Sequence, residues 1–306
     1  MNSLYTSLSK KKVNCIVCNS DDSEHLGIRG NREYSGANQK ATPHVFTNVV
    51  KCKICDFIYT NPLIIGADHL EKLHYSDPKV YETTQQIDPI EMFSKRIAII
   101  KKYKTQGSLL DIGAGKGEFL LAAKKSGYTI FGIEPSKGLS EYANNQNNLN
   151  ITHGFLEDLQ IPKIKYDIIT MNHVFEHVEN PHELLTLIKS FMKKDALLFI
   201  EVPNTGSLFL KMIDFYYRIK GLSWSGRLSP LHPPFHKFGY NKTSLAYILI
   251  KHNFTINSTK TVTGKDRGFE EKDDIDKYAL MLRKIATFVV NLLGNRELLI
   301  ITAKLK

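Results

Sequence analysis

The chain has 306 residues, 42% of them hydrophobic and 24% charged, which is enough apolar material for one full α/β domain with a smaller appendage. A net charge of +10 leaves nucleic acid, an anionic metabolite or an anionic membrane surface as partners, but the lysines are scattered and read better as a solvated surface. No apolar run approaches the roughly 20 residues that span a bilayer, and the start, MNSLYTSLSKKK, lacks the apolar core of a secretory signal, so a soluble cytoplasmic protein is expected.

All four cysteines fall near the start, as Cys15-x-x-Cys18 and Cys52-x-x-Cys55. Each pair offers two thiolates on one turn, and the intervening chain can return freely, which suits a tetrahedral zinc ion. With every ligand place filled by sulfur, such a Zn2+ would be structural rather than catalytic. Two redox dithiols are the competing reading, but no thioredoxin-like βαβ pattern surrounds either pair. Residues 1–75 are therefore expected to form a small zinc-ribbon-like module. A linker rich in Asp, Pro and Tyr and a helix around Met92 to Lys102 would occupy 76–106, with the main domain at 107–306.

From Ser108 short apolar runs alternate with helical stretches, as in a parallel sheet with crossover helices. The pattern predicts strands at Ser108 to Ile112, Thr129 to Glu134, Ile151 to Gly154, Tyr166 to Asn172 and Ala196 to Val202. Helices are predicted at Gly117 to Ser126, Leu139 to Asn145 and His182 to Met192. This is a doubly wound, Rossmann-like α/β domain. After Pro203 the alternation breaks into a Tyr-, Trp- and Pro-rich stretch, Phe209 to Phe238, within an insert at 205–240. A helix at Ser244 to Lys251, a strand at Phe254 to Val262, an amphipathic helix near Ile275 to Leu293 and a strand at Glu297 to Lys304 follow. These pieces need no further parallel crossover, so an antiparallel last strand is expected.

The strongest chemical signal is the stretch LLDIGAGKGEFL, from Leu109, in which a strand runs into a turn containing Gly113, Gly115 and Gly117. Glycines there let a ligand approach the backbone. The third glycine of a dinucleotide fingerprint is missing, since Glu118 stands in its place, and there is no phosphate-loop motif. S-adenosylmethionine (SAM) lacks a pyrophosphate and carries a positive sulfonium and ammonium, which suits an acid, Asp111, at the strand end. Glu134, at the end of the second strand, is placed to accept hydrogen bonds from both ribose hydroxyls.

In these residues the sequence closely resembles the class I SAM-dependent methyltransferases. The resemblance covers roughly Lys104 to Asn204, in LLDIGAGKGEFL, FGIEPS, YDIITMNHVFEHVENP and LLFIEVPN. It implies that Asp111, Gly113, Gly115 and Gly117 shape the methionine end of the pocket and that Glu134 binds ribose. It also implies that Phe155 and Leu156 lie near the adenine, with Asn172 and His173 at the end of the fourth strand. Many members carry an acid where Phe155 stands, and Glu157 and Asp158 are the nearest substitutes. The run Cys52 to Pro62 resembles the zinc-ribbon lead-in of bacterial methyltransferases acting on sugars or other small metabolites, with Asp56 where a glycine is usual.

His173-Val-Phe-Glu176-His177 follows the fourth strand, at the edge where α/β sheets place ligands. An imidazole there could serve as general base for a hydroxyl acceptor. Some members of the family instead hold a divalent cation with E-x-x-E-H and a distant histidine. Here His173 replaces the first Glu, and His232 or His236 would be the distant ligand. Leu231 to Phe238 stands where such enzymes cover the acceptor, which makes His236 the first candidate base and His177 the second. The expected reaction is methyl transfer from SAM to a small-molecule acceptor, anionic or nucleotide-linked, foremost at a hydroxyl of a sugar or glycan-related metabolite. A nucleic-acid methyltransferase and a non-catalytic SAM-binding scaffold are the alternatives. Against nucleic acid, the module lacks a dense basic stripe interleaved with aromatics.

Overall fold

The computed structural model describes residues 8–30, 45–66, 88–158, 164–232, 235–263 and 294–306. The helix expected near Ile275 to Leu293, and Pro233 and Pro234 of the acceptor-covering stretch, lie outside the described residues.

Seven strands form the main sheet. In chain order they are β6 (Ser108–Ile112), β7 (Thr129–Glu134), β8 (Ile151–His153), β9 (Tyr166–Asn172), β10 (Met192–Pro203), β12 (Phe254–Val262) and β13 (Leu298–Leu305). Their spatial order is β12-β13-β10-β9-β6-β7-β8. The β8-to-β10 part is parallel, whereas β13 runs antiparallel to both neighbours, as the closing strand was expected to do. The run Ala196 to Val202 is buried throughout, because helices cover both faces of a central parallel strand. β10 starts four residues before the expected Ala196, with Met192 paired to Tyr166 ahead of an irregularity.

Crossover helices begin where local chemistry starts them. α2 (Glu118–Lys125) starts at Gly117, whose φ of 78° is left-handed, and α3 (Lys137–Gln146) at Ser136, whose hydroxyl accepts from the Leu139 amide. α4 (Pro181–Phe191) pairs an Asn180 cap with proline at its first position. Between β6 and β9 the strand order reverses, and that crevice is where doubly wound sheets hold ligands. α1 (Pro89–Lys101) packs on α2, with Phe93 edge-on to Phe119 at 5.5 Å.

A second, four-stranded sheet is ordered β11-β4-β3-β2, with β2 at Ser23–Gly30, β3 at Phe46–Cys52 and β4 at Ile58–Thr60. Its edge strand β11 (Phe238–Gly239) comes from the insert, so the cysteine-bearing segment and the insert share one sheet. β1 (Ser9–Lys11) and β5 (Leu63–Ile65) pair beside it. Ile28 bridges Trp224, and a Cβ on Gly27 would lie 2.8 Å from the Trp224 carbonyl carbon, so only glycine allows that approach. An aromatic seam of Phe57 on Tyr240 (4.8 Å) and Tyr240 on Phe175 (5.0 Å) carries one apolar core from the cysteines into the main sheet. In the insert, α5 (Leu208–Ile219) leaves Phe215, Tyr216 and Ile219 exposed, which a packing helix would bury. α6 (Lys242–Lys251) follows, closed at its start by a capping box of Asn241 and Ser244.

Candidate functional site

The glycine turn sits at the carboxyl end of β6. Gly113, Gly115 and Gly117 all have left-handed φ, of 71°, 54° and 78°. A Cβ at Gly113 would collide with Val174 and one at Gly117 with Leu149, whereas one at Gly115 would meet nothing within 4 Å. Two glycines are thus demanded by packing and the third opens the turn to a ligand. The Glu134 carboxylate ties the turn to the end of β7, accepting from the Gly115 and Ser136 amides, both at 2.8 Å. Burial pushes this carboxyl up, with the two amides working against it. The carboxylate has about four acceptor sites, so ribose hydroxyls can still donate to it.

Asp111 is 2% exposed, and its Oδ1 accepts from Thr170 Oγ1 at 2.6 Å and Asn172 Nδ2 at 3.2 Å. With its amide committed to Asp111, Asn172 leaves its own Oδ1 buried and without a donor among the described residues. An orphaned acceptor beside a buried carboxylate fits the ammonium of SAM, which would satisfy both. At the adenine end Leu156 is buried, while Phe155 is 51% exposed with its amide donating to Asp158 Oδ2.

Beyond β9 the chain turns through His173, which has a left-handed φ of 58°. Its two ring nitrogens meet buried carboxylates: Nε2 lies 3.2 Å from Glu201 Oε1 and Nδ1 3.3 Å from Glu176 Oε1. Glu201 is held in turn by Arg96 of α1, at 2.9 Å, the two side chains being 0% and 1% exposed. Glu176 is 1% exposed and has no well-aligned hydrogen-bond donor on either oxygen among the described residues. His236 Nε2 lies 3.8 Å from it, and the His177 and His236 rings are 5.2 Å apart. Burial alone would raise the Glu176 carboxyl, but His173, with His177 and His236, outweighs it and holds it below the ordinary range. Burial likewise pulls His236 down to about 3, against the upward pull of Glu176, so its imidazole is neutral at pH 7. Glu176, His177 and His236 bring one ligand atom each within 4.8 Å of one another, a donor set that could also accept a divalent cation.

The four cysteines converge as free thiols, with Cys15 Sγ 3.5 Å from Cys55 Sγ and Cys18 Sγ 3.4 Å from Cys52 Sγ. All four sulfurs lie within 4.8 Å of one another, and tetrahedral Zn–S bonds of about 2.3 Å would set them roughly 3.8 Å apart. The two turns match: Asn19 and Asp56, each following a second cysteine, both take left-handed φ, and their amides donate to Cys15 and Cys52 carbonyls. Asp56 therefore holds the conformation for which glycine is usual at that place.

The structure brings Asp111, the three glycines, Glu134 and Asn172 to one end of the sheet. It turns the ring nitrogens of His173 toward two carboxylates, and it places His236 beside Glu176. The Arg96–Glu201 pair is new. Glu201 was visible as a lone acid inside the apolar run LLFIEVP, a placement that requires a buried partner. Nothing in α1 singled out Arg96.

A parallel sheet with a reversed last strand, a glycine turn and an acid at the next strand end together define a Rossmann-like ligand pocket. A profile described as a methyltransferase domain matches residues 86–259, more than half of the chain, and the chain belongs to that family. Among curated relatives, a ubiquinone biosynthesis O-methyltransferase of Glaesserella parasuis is 31% identical over 155 residues, covering 46% of this chain and 65% of the relative. An (S)-coclaurine N-methyltransferase of Thalictrum flavum is 32% identical over 123 residues, covering 38% and 33%. The chain thus spans about two-thirds or less of the length of the curated relatives it matches. A solved chain from the Haloferax volcanii complex of the Trm112 methyltransferase activator with a methyltransferase shares the fold. It matches at 12% identity and a TM-score of 0.50, over 70% of this chain and 89% of that one. No helix among the described residues is long and apolar enough to cross a membrane.

Proposed function

We propose that this protein transfers a methyl group from SAM to a hydroxyl of a small acceptor, a sugar, nucleotide-sugar or related metabolite, with His236 as the base. One observation carries the reading: a neutral, half-buried imidazole stands 3.8 Å from an ionised, buried carboxylate at the sheet edge that holds the glycine turn. The relatives' names include both O- and N-methyltransferases, which agrees with a small-molecule acceptor and leaves the receiving atom to the site's own chemistry.

When bound, SAM supplies an activated methyl on a positive sulfonium. Asp111 and the Asn172 carbonyl would hold its ammonium, and Glu134 its ribose. The His236 ring nitrogen not facing Glu176 takes up the acceptor's hydroxyl proton as the oxygen receives the methyl group, the sulfonium–methyl bond breaking to leave a neutral thioether. The imidazolium so formed is stabilised by Glu176, and Arg96, Glu201 and His173 fix that carboxylate in place. His177, packed against the His236 ring, is the second candidate for the proton. The four cysteines would hold a structural zinc that keeps the β2–β4 sheet, and with it β11 and His236, in register.

The test uses methyl-labelled SAM with pools of sugar nucleotides, comparing wild type with His236→Asn. Label on a sugar oxygen, reduced roughly 100-fold or more in the variant, is the expected result. Equal labelling by the variant would remove His236 as base. Labelling of RNA in place of sugar nucleotides would remove the proposed acceptor.

A further inference from the structure

A cleft of about 500 Å³ lies away from the cofactor pocket, between the β2–β4 sheet, α5 and the first turn of α6. Neither the residues of the glycine turn nor the histidines line it. Its volume is that of a small-molecule site.

The charge in this cleft is unbalanced. Five cations line it against three acids, and every acid is already engaged. Lys51 holds both Glu24, at 2.7 Å, and Asp56, at 3.7 Å, while Asp214 is paired with Arg227. Lys211, Arg218 and Lys242 have no acidic partner among the described residues. Arg227 is built in rather than draped on the surface: its side chain is 10% exposed, with Nε on Asp214 and Nη1 on the Thr205 carbonyl. That leaves Nη2 with no partner among the described residues, on a guanidinium whose orientation is already fixed. A planar, pre-oriented guanidinium with lysines around it is the usual setting for phosphate recognition.

An aromatic completes the lining. Lys211, Phe215 and Arg218 follow at helical spacing on one face of α5, and Phe215 is 64% exposed. A large apolar ring left in water between two unmatched cations offers a stacking surface to a planar group. The amides of Lys242 and Thr243 precede the capped Ser244 amide at the start of α6 and add donors on the same wall.

We propose that this cleft is a second ligand site, separate from the cofactor pocket, which binds a nucleotide. Arg227 Nη2, Arg218, Lys211 and Lys242 take its phosphates, and Phe215 takes its base. Because Glu24, Lys51 and Asp56 come from the cysteine-bearing segment, the site exists only while that segment is docked. The cleft's limited volume favours a mononucleotide over a polymer. A phospholipid headgroup presents the same phosphate chemistry, and the experiment separates the two sources.

Full-length, zinc-loaded protein is titrated calorimetrically with UDP, with inorganic pyrophosphate and with vesicles containing phosphatidylglycerol. A uridine probe is used because the cofactor pocket is suited to adenosine. The variants are Arg218→Ala/Lys242→Ala, Phe215→Ala and, as a distant control, Lys137→Ala, whose side chain is 73% exposed on α3. S-adenosylhomocysteine binding checks that each variant is folded. UDP is expected to bind wild type and the control alike and to weaken roughly 30-fold or more in the double variant. Phe215→Ala should weaken UDP but not pyrophosphate, and S-adenosylhomocysteine should bind every variant equally. Failure of UDP to bind wild type, equal binding by the double variant, or displacement of UDP by S-adenosylhomocysteine would each overturn the proposal. Binding of vesicles but not UDP would overturn the nucleotide and assign the cleft to lipid phosphate.

Discussion

Glu134 and Glu176 are both buried carboxylates at the ligand edge of one sheet, 7% and 1% exposed, yet they are held in opposite ways. Glu134 rests on two backbone amides, those of Gly115 and Ser136, which its own β-α turns deliver. Glu176 has no such amide bond and sits among three imidazoles, one of which, His236, arrives from the distant insert. A carboxylate held by rigid amides has fixed geometry and spare lone pairs, as a binding group needs. One surrounded by titratable rings stabilises charge that appears there, as a reaction needs. The two sides of the site should therefore fail differently when broken.

The largest effect is expected from removing the metal, because the ion would cross-link two turns that lie far apart in the chain. Chelation, or Cys52→Ser, should unfold the β2–β4 sheet, detach β11 and abolish methyl transfer. Zinc content equimolar with the chain, measured by elemental analysis, checks the assignment. Next, Glu176→Gln should lower kcat roughly 10²- to 10⁴-fold with SAM affinity unchanged, whereas Glu134→Gln should weaken SAM while sparing kcat at saturation. Steady-state kinetics on a transferring acceptor distinguish these outcomes, and a loss of SAM binding in Glu176→Gln would erase the contrast between the two carboxylates.

Arg96→Met leaves Glu201 buried without its cation and should cost about 3–5 kcal/mol in urea unfolding. The double variant with Glu201→Gln should recover much of that loss, because both charges are then gone. The smallest effect concerns pH. Folding lowers His236 from its ordinary value to about 3, so between pH 6.5 and 3 the unfolded chain binds a proton there that the folded chain refuses. Stability from this group is full above pH 6.5 and falls as pH drops through that window, by at most about 1.4 kcal/mol per unit. His236→Asn should lose less stability than wild type between pH 6.5 and 5.0, as urea midpoints would show.

The same contrast separates what could be read from the sequence from what could not. The strands from Ser108 to Asn172, the glycine turn and Glu134 are local: each follows from periodicity, a left-handed glycine or a strand-end acid within one βαβ unit. The four cysteines were legible because two short knuckles carry their own geometry. Three features depend on distant chain segments meeting. They are the β11–β4 pairing that puts the insert into the cysteine-bearing sheet, the Arg96–Glu201 pair, and the placement of His236 against Glu176. Such contacts leave no short-range pattern, and only Glu201, an acid inside an apolar strand, signalled that a partner was needed. Composition alone gave the Tyr- and Trp-rich insert helix no role, and its exposed Phe215 and Ile219 show that it does more than pack against the core.

The most direct test of the central claim is calorimetric titration of metal-replete protein with SAM and with S-adenosylhomocysteine, repeated on Asp111→Ala and Glu134→Ala. Micromolar binding to wild type, weakened roughly 10- to 100-fold by each substitution, is the predicted result. A folded, zinc-loaded wild type that binds neither compound would contradict the account at its root.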